Sequence, residues 1–320
     1  MRAVLPRSVR RHPARFVLSA AAVAALAATS ACSTSSSAKT SSPGAAGSKT
    51  IQVVAAENFW GSIATQLGGS HVKVTSVITN PDTDPHSYEP TASDGRTIAG
   101  ADYAITNGIG YDAWSDKLLA ANPAPNRTVL KVGDLVGKKE GDNPHQWYSH
   151  DSVYKVIDQI TADYKKIDPA DAAYFDTQKQ TFETQTLAKY NQLEADIKAK
   201  YADTPIGASE SIVTPLAESV GLKMLTPETF LDAESEGTDP TAADKATIDQ
   251  QISGKQIKVY VYNTQNSNPD VVAQVNAAKA QGIPVAQVTE TLAPANATFQ
   301  DWQTQQLQGI ADALKAATGK

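Results

Sequence analysis

Two histidines stand directly after proline, at DPHSYEP (residues 84–90) and NPHQWYSH (residues 143–150), in a chain of 320 residues that holds five histidines and one cysteine. Imidazole is a common ligand of divalent transition metals and titrates near neutral pH. Proline fixes its own φ and restricts the residue before it, so each turn presents its imidazole with little conformational freedom to lose on binding. A single loop histidine is an ordinary packing or surface residue. The same Pro-His turn used twice makes His86 and His145 candidate metal ligands. His71 follows Gly68-Gly69 at the start of a strand and is expected to face solvent, and His150 is expected as an exposed first-turn residue of a helix. Trp147 and Tyr148 are expected to wall the second turn off from water. Glu57, Asn107 and Gly108 fall at strand exits, where they shape turns and the space beyond them.

The elements that must position these turns alternate. TIQVVAAE reads as a strand, FWGSIATQLGG as a helix, and HVKVTSVIT as the next strand. The DPHSYEP turn follows, then a helix around ASDGRTIAGA, a strand in DYAITNG and a helix in YDAWSDKLLAAN. After residue 202 the alternation resumes: TPIGASES, a helix through IVTPLAESVGL, a loop TPETFLDAESEGTDPT and a helix in AADKATIDQQISG. A strong strand KQIKVYVYN, a helix DVVAQVNAAKAQG, a strand in IPVAQVTETL and an amphipathic C-terminal helix complete it. Between the two runs, residues 169–201 hold no glycine and no proline beyond Pro169. Asp168 is placed to cap this segment, and Phe175, Phe182, Leu193 and Ile197 form one apolar stripe. As a single helix it would span roughly 45 to 50 Å. The expected fold is α/β: two lobes, residues 51–168 and 202–320, each a mainly parallel sheet flanked by helices, joined by the linker helix 169–201. The site would lie in the cleft between them.

Residues 1–15 carry five arginines and no acid, followed by an apolar small-residue run up to Cys32, so that residues 1–31 have the layout of a secretory signal. The only cysteine cannot form an intrachain disulfide. Placed after a cleavage-type region and before STSSSAKTSSPGAAGSKT, it is read as an acylated first residue on a Ser/Ala/Gly tether, residues 32–50. Thr29 stands where lipoprotein signals usually have leucine, and Arg10-Arg11 fits twin-arginine export poorly. Without residues 1–31 the chain has 23 basic against 34 acidic residues. That balance argues against nucleic acid as a partner.

The ordered set of motifs resembles the metal-binding lipoprotein family of bacterial ABC importers that carry manganese, zinc or iron. DPHSYEP looks like the family's first-ligand turn, NPHQWYS its second, GASESIVTPLAESVGL its third and QVTETL its fourth. DYAITNGIGYDAW and ESEGTDPT resemble the family's intervening turns, and the segment from Pro169 matches its single linking helix. Carried over position by position, the resemblance implies His86, His145, Glu210 and Glu290 as ligands of one divalent cargo ion. The family more often has aspartate at the position of Glu290, and its zinc-carrying members usually have histidine at that of Glu210. Two carboxylates with two imidazoles form a harder donor set, which favours manganese over zinc, with iron third. Glu210 could instead be an acid stabilised at a helix start. The resemblance further implies a monomer at the outer face of the cell membrane, working with an ABC permease and its ATPase. Metal would have to displace protons from two imidazoles, so affinity is expected to fall below about pH 6. A zinc hydrolase is the rival reading, disfavoured because HExxH-type motifs are absent and four protein ligands leave no position for an activated water. A surface adhesin with an incidental metal site is the other.

Overall fold

The computed structural model describes residues 50–83, 85–266 and 268–320. The expected leader, Cys32 and nearly all of the tether lie outside the described residues. Among the described residues no helix is long and apolar enough to cross a membrane.

The first sheet is built from β1 (Ile51–Glu57), β2 (Val72–Ile78), β3 (Tyr103–Thr106) and β4 (Thr128–Lys131), in the order β2-β1-β3-β4 with all pairs parallel. β1 and β3 are apolar and buried almost throughout, as inner strands covered on both faces must be. Connecting them are α1 (Asn58–Gly68), α2 (Ala92–Ala99) and α3 (Ala113–Ala121), with the short α4 (Val132–Val136) after β4. Thr91 and Asp94 form a reciprocal capping box that starts α2. α5 (His150–Ile167) follows the second Pro-His turn and packs its apolar face on α1 and α4.

Next come α6 (Ala172–Thr181) and α7 (Ala188–Tyr201). The second sheet repeats the first: β5 (Pro205–Ala208), β6 (Lys223–Met224), β7 (Val259–Asn263) and β8 (Val285–Val288) run parallel in the order β6-β5-β7-β8. Its helices are α8 (Thr214–Val220), α9 (Glu228–Ser235), α10 (Ala242–Ser253), α11 (Pro269–Ala280) and α12 (Phe299–Thr318). In both sheets the chain changes direction between its first and third strands. Such switch points leave a crevice beyond the carboxyl ends of the strands, where open α/β sheets bind ligands.

Four local expectations are corrected. The 169–201 segment is helical but not one uninterrupted α-helix: it opens as a 3₁₀ turn at Pro169–Asp171 and carries a π turn at Phe182–Thr186. The Asp168 side chain makes no capping bond. The π turn shifts the register, so that Leu187 and Tyr190 join Phe175, Phe182, Leu193, Ile197 and Tyr201 among the buried residues. Secondly, part of the expected loop at residues 226–241 is helix α9, which buries Phe230, Leu231 and Glu234 at helical spacing. Its high acid content hides that pattern. Thirdly, His71 does not face solvent freely; it sits in a 3₁₀ turn before β2, its ring packed at a tilt against Tyr174 at 4.1 Å between ring centroids. Finally, His150 does begin a helix, but its ring is half-buried, paired with Glu194 and stacked on Tyr154.

The halves of the chain are also joined through α12. Phe299 N donates to Ser62 Oγ (2.9 Å), and Tyr148 Oη donates to Gln306 Oε1 (2.8 Å). α12 packs along α7 and reaches α1. These contacts tie the last helix to the first sheet's side of the molecule.

Candidate metal centre

A cavity of about 240 Å³ opens among the loops that leave both sheets, and His86, His145, Glu210 and Glu290 all line it. Among the described residues lining it there is no lysine or arginine. Each of the four reaches it from a different element.

His145 is the most firmly built. It is 1% exposed, and Asn143 Oδ1 accepts from both its backbone N–H (3.0 Å) and its ring Nδ1–H (2.9 Å). One oxygen accepting twice fixes the tautomer and leaves Nε2 with its lone pair free to bind a cation. Asn143 Nδ2 in turn donates to Ser211 O (2.7 Å), the residue after Glu210, so one side chain ties the histidine turn to the second half of the chain. Asn107 Nδ2 donates to Pro144 O (3.0 Å), and Trp60 Nε1 donates to Asn107 Oδ1 (3.1 Å). Behind the ring lie Trp147 (5.2 Å between centroids) and Tyr111 (6.1 Å), with Trp147 stacked on Phe59 at 4.0 Å. Trp147 and Tyr148 do form a dry wall. Burial, and then the neighbouring His86, push the His145 pKa down to about 3, so the ring is neutral at physiological pH.

His86 is different. Its proline, Pro85, is buried but the imidazole is exposed, resting edge-on against Tyr111 at 4.8 Å.

Glu210 follows β5 in extended conformation and is 2% exposed. Its Oε2 accepts from Asn266 Nδ2 (2.9 Å), while Oε1 is enclosed with no hydrogen-bond donor. Burial and the adjacent Glu290 raise its pKa to about 8, against the lowering effect of Asn266 and Asn263. Glu290 follows β8; its backbone N–H donates to Gln265 Oε1 (2.6 Å), and its Oε1 lies 3.9 Å from His145 Nε2. Gln265 also donates to Pro81 O (2.7 Å), which ties the exit of β7 to the loop that carries His86.

Sequence reasoning passed over several groups. Glu57, read only as a strand-exit residue, is completely buried with neither carboxyl oxygen hydrogen-bonded. Burial and the nearby Asp112 hold its pKa well above the usual carboxylate range. Asp112 accepts from the backbone N–H of Asn107 (2.8 Å) and Gly108 (2.7 Å), closing a turn in which Gly108 has φ +73°. Glu234 and Asn266 also line the cavity. Only the family's acidic loop resemblance points toward Glu234, and Asn266 has no signal in its local sequence.

Two imidazoles and two carboxylates line a small cavity, with buried acids behind them and, among the described residues, no cationic side chain, an arrangement suited to a cation in a two-sheet α/β protein. Residues 53–313 match the family of the periplasmic component A of the zinc-uptake complex, and the chain belongs to that family. It is 25% identical over 254 residues to the manganese-binding lipoprotein MntA of Bacillus subtilis, covering 75% of this chain and 80% of that one. It is 26% identical over 227 residues to the zinc-binding lipoprotein AdcA of Streptococcus pneumoniae, covering 63% of this chain but only 43% of AdcA. The manganese-bound periplasmic metal-binding protein of Candidatus Liberibacter asiaticus superposes with a TM-score of 0.67 at 21% identity, over 82% of this chain and 99% of that one. The chain is thus a metal-binding component of an ABC metal importer, a transport protein and not an enzyme.

Proposed function

We propose that this protein captures one divalent transition metal ion at His86, His145, Glu210 and Glu290 and delivers it to a membrane permease powered by an ATPase. One observation carries the reading: Glu210 and Glu290 face His145 across a cavity that no lysine or arginine lines among the described residues. Carboxylates gathered around one enclosed cavity favour a bound proton or metal ion there. A tetrahedral ion with bonds of about 2.1 Å would hold two ligand atoms roughly 3.4 Å apart. The 3.9 Å between His145 Nε2 and Glu290 Oε1 is within a small closure of that.

Manganese is the proposed cargo, because two carboxylates make a harder site than three histidines would. Zinc is the competitor and binds more tightly in most such sites, so affinity alone does not define the cargo. Residues 51–168 and 202–320 act as lobes on either side of the 169–201 helical run, and Cys32 anchors the protein at the outer membrane face through acyl chains. Two or more chains are needed for stable attachment.

The test is equilibrium dialysis of the chelator-stripped protein at submicromolar free manganese or zinc, followed by elemental analysis. One tightly held ion per chain, lost in His145→Ala with the circular dichroism spectrum unchanged, supports the reading. Its absence from the native chain sinks it. For the anchor, Cys32→Ala should move the protein from the membrane fraction to the soluble one.

A further inference from the structure

His71, dismissed by its sequence as a surface residue, lies in a second cluster of metal-binding side chains outside the cargo cavity. One ligand atom each from His71, Asp168 and Asp171 can be chosen so that all three lie within 4.8 Å of one another. They come from three places: the turn before β2, the end of α5, and the 3₁₀ turn that starts the helical run toward α7. All three residues are half-buried.

Three features of the cluster are unusual for a plain surface ion pair. Both aspartates occupy helix N-cap positions, where a carboxylate ordinarily accepts from the N–H groups of the first turn, yet neither makes a capping bond. The Oδ2 of Asp168 is enclosed and has no hydrogen-bond donor. Moreover, His71 Nδ1 lies 2.9 Å from Asp171 Oδ2 but outside hydrogen-bond geometry. An enclosed carboxylate oxygen without a donor is destabilising unless something compensates it. Tyr174 packs its ring against the imidazole at a tilt of 37°, and its hydroxyl accepts from Ser70 N–H at 3.2 Å.

We propose that His71, Asp168 and Asp171 form a second divalent-metal site, with one imidazole and two carboxylates as protein ligands and water completing the shell. Nitrogen and carboxylate donors suit zinc, which stands above manganese in the general order of stability, and the half-open position makes the site weaker and faster-exchanging than the enclosed cargo cavity. An ion there would staple the start of β2 to the beginning of the helical run, stiffening the base of the connection between the sheets. The proposal stands apart from the cargo reading, because it shares no residue with it.

The experiment uses the chelator-stripped full chain with zinc chloride as the only added ligand. In submillimolar zinc the native chain should take up two ions, and a chain carrying His145→Ala and Glu210→Gln should still take up one, with a rise in melting temperature. Adding Asp168→Asn, which keeps the side-chain shape, should abolish both the remaining ion and the rise; His71→Ala should do the same. The proposal is overturned if the cargo-site variant takes up no zinc, or if its remaining ion survives Asp168→Asn. Loss of the tight ion on His145→Ala is read in the same titration, so failure of the cargo reading appears separately.

Discussion

The two Pro-His turns look alike in sequence, each with an aromatic residue two positions on, yet the structure treats them differently. The turn of His145 is finished: Asn143 sets its tautomer, Asn107 holds the preceding carbonyl and the rings of Tyr111 and Trp147 back it. The turn of His86 buries its proline and leaves the imidazole exposed beside Tyr111. A ligand already held costs little entropy on binding, whereas one that must be ordered costs about 0.5 to 1.5 kcal/mol. The same motif therefore encloses one imidazole in the wall of the cavity and leaves the other exposed at its edge.

The largest test of that contrast removes each histidine in turn. His145→Ala should lower metal affinity by at least about a hundredfold, beyond the ten- to hundredfold typical of residues that only orient a ligand. His86→Ala should cost up to roughly tenfold less, since an exposed ligand contributes less to a binding site than one enclosed in it. Isothermal titration of both variants decides it, and equal losses would break the comparison.

Asn143 comes next. Asn143→Ala should weaken binding by about ten- to hundredfold while leaving the fold intact, because it frees both the imidazole tautomer and the link to Ser211. A normal affinity in that variant would show that the second turn is held by its aromatic wall alone.

Glu210→His probes the opposite side of the cavity. Removing a hard anionic ligand and adding an imidazole should shift the zinc-to-manganese affinity ratio toward zinc, measured by competition dialysis. A preference for manganese kept or strengthened would remove Glu210 from the ligand set.

The smallest effect concerns protons, and here the structure revises the simple two-imidazole expectation. His145 is already neutral above about pH 3, so it has no proton to give up at neutral pH. Burial and the adjacent Glu290 raise the pKa of Glu210 to about 8, so at pH 7 the Glu210–Glu290 pair is expected to give up a proton when an ion binds. Affinity should therefore still rise between about pH 6 and 8 and level off above that, by up to roughly tenfold per unit. Calorimetry in buffers of different ionisation heat should find Glu210 contributing close to one proton per ion at pH 7, and Glu210→Gln should lose that contribution. Release unchanged in Glu210→Gln would assign the proton to another group.

Much of this was legible in the chain. Alternating apolar runs and helical stretches gave both parallel sheets, because buried inner strands such as β1 and β7 read as continuous apolar segments. The histidines stood out because proline marks their turns. Glu210 and Glu290 emerged only from family resemblance, since an acid at a strand exit looks like any turn residue until the opposite half of the chain is in place. Asn143, Asn266 and the buried Glu57 depend on partners far away in sequence, and so does the bridge made by α12; nothing local announces them. The π turn at Phe182–Thr186 likewise leaves no mark in composition.

The most direct test of the central claim is a crystal structure of the manganese-loaded protein with the ion located by anomalous scattering. A single strong peak in the cargo cavity, bonded at roughly 2.0 to 2.3 Å to an imidazole nitrogen of both His86 and His145 and to carboxylate oxygens of Glu210 and Glu290, is the predicted result. An ion bound elsewhere, or bound in that cavity without Glu210 or without either histidine, would contradict it.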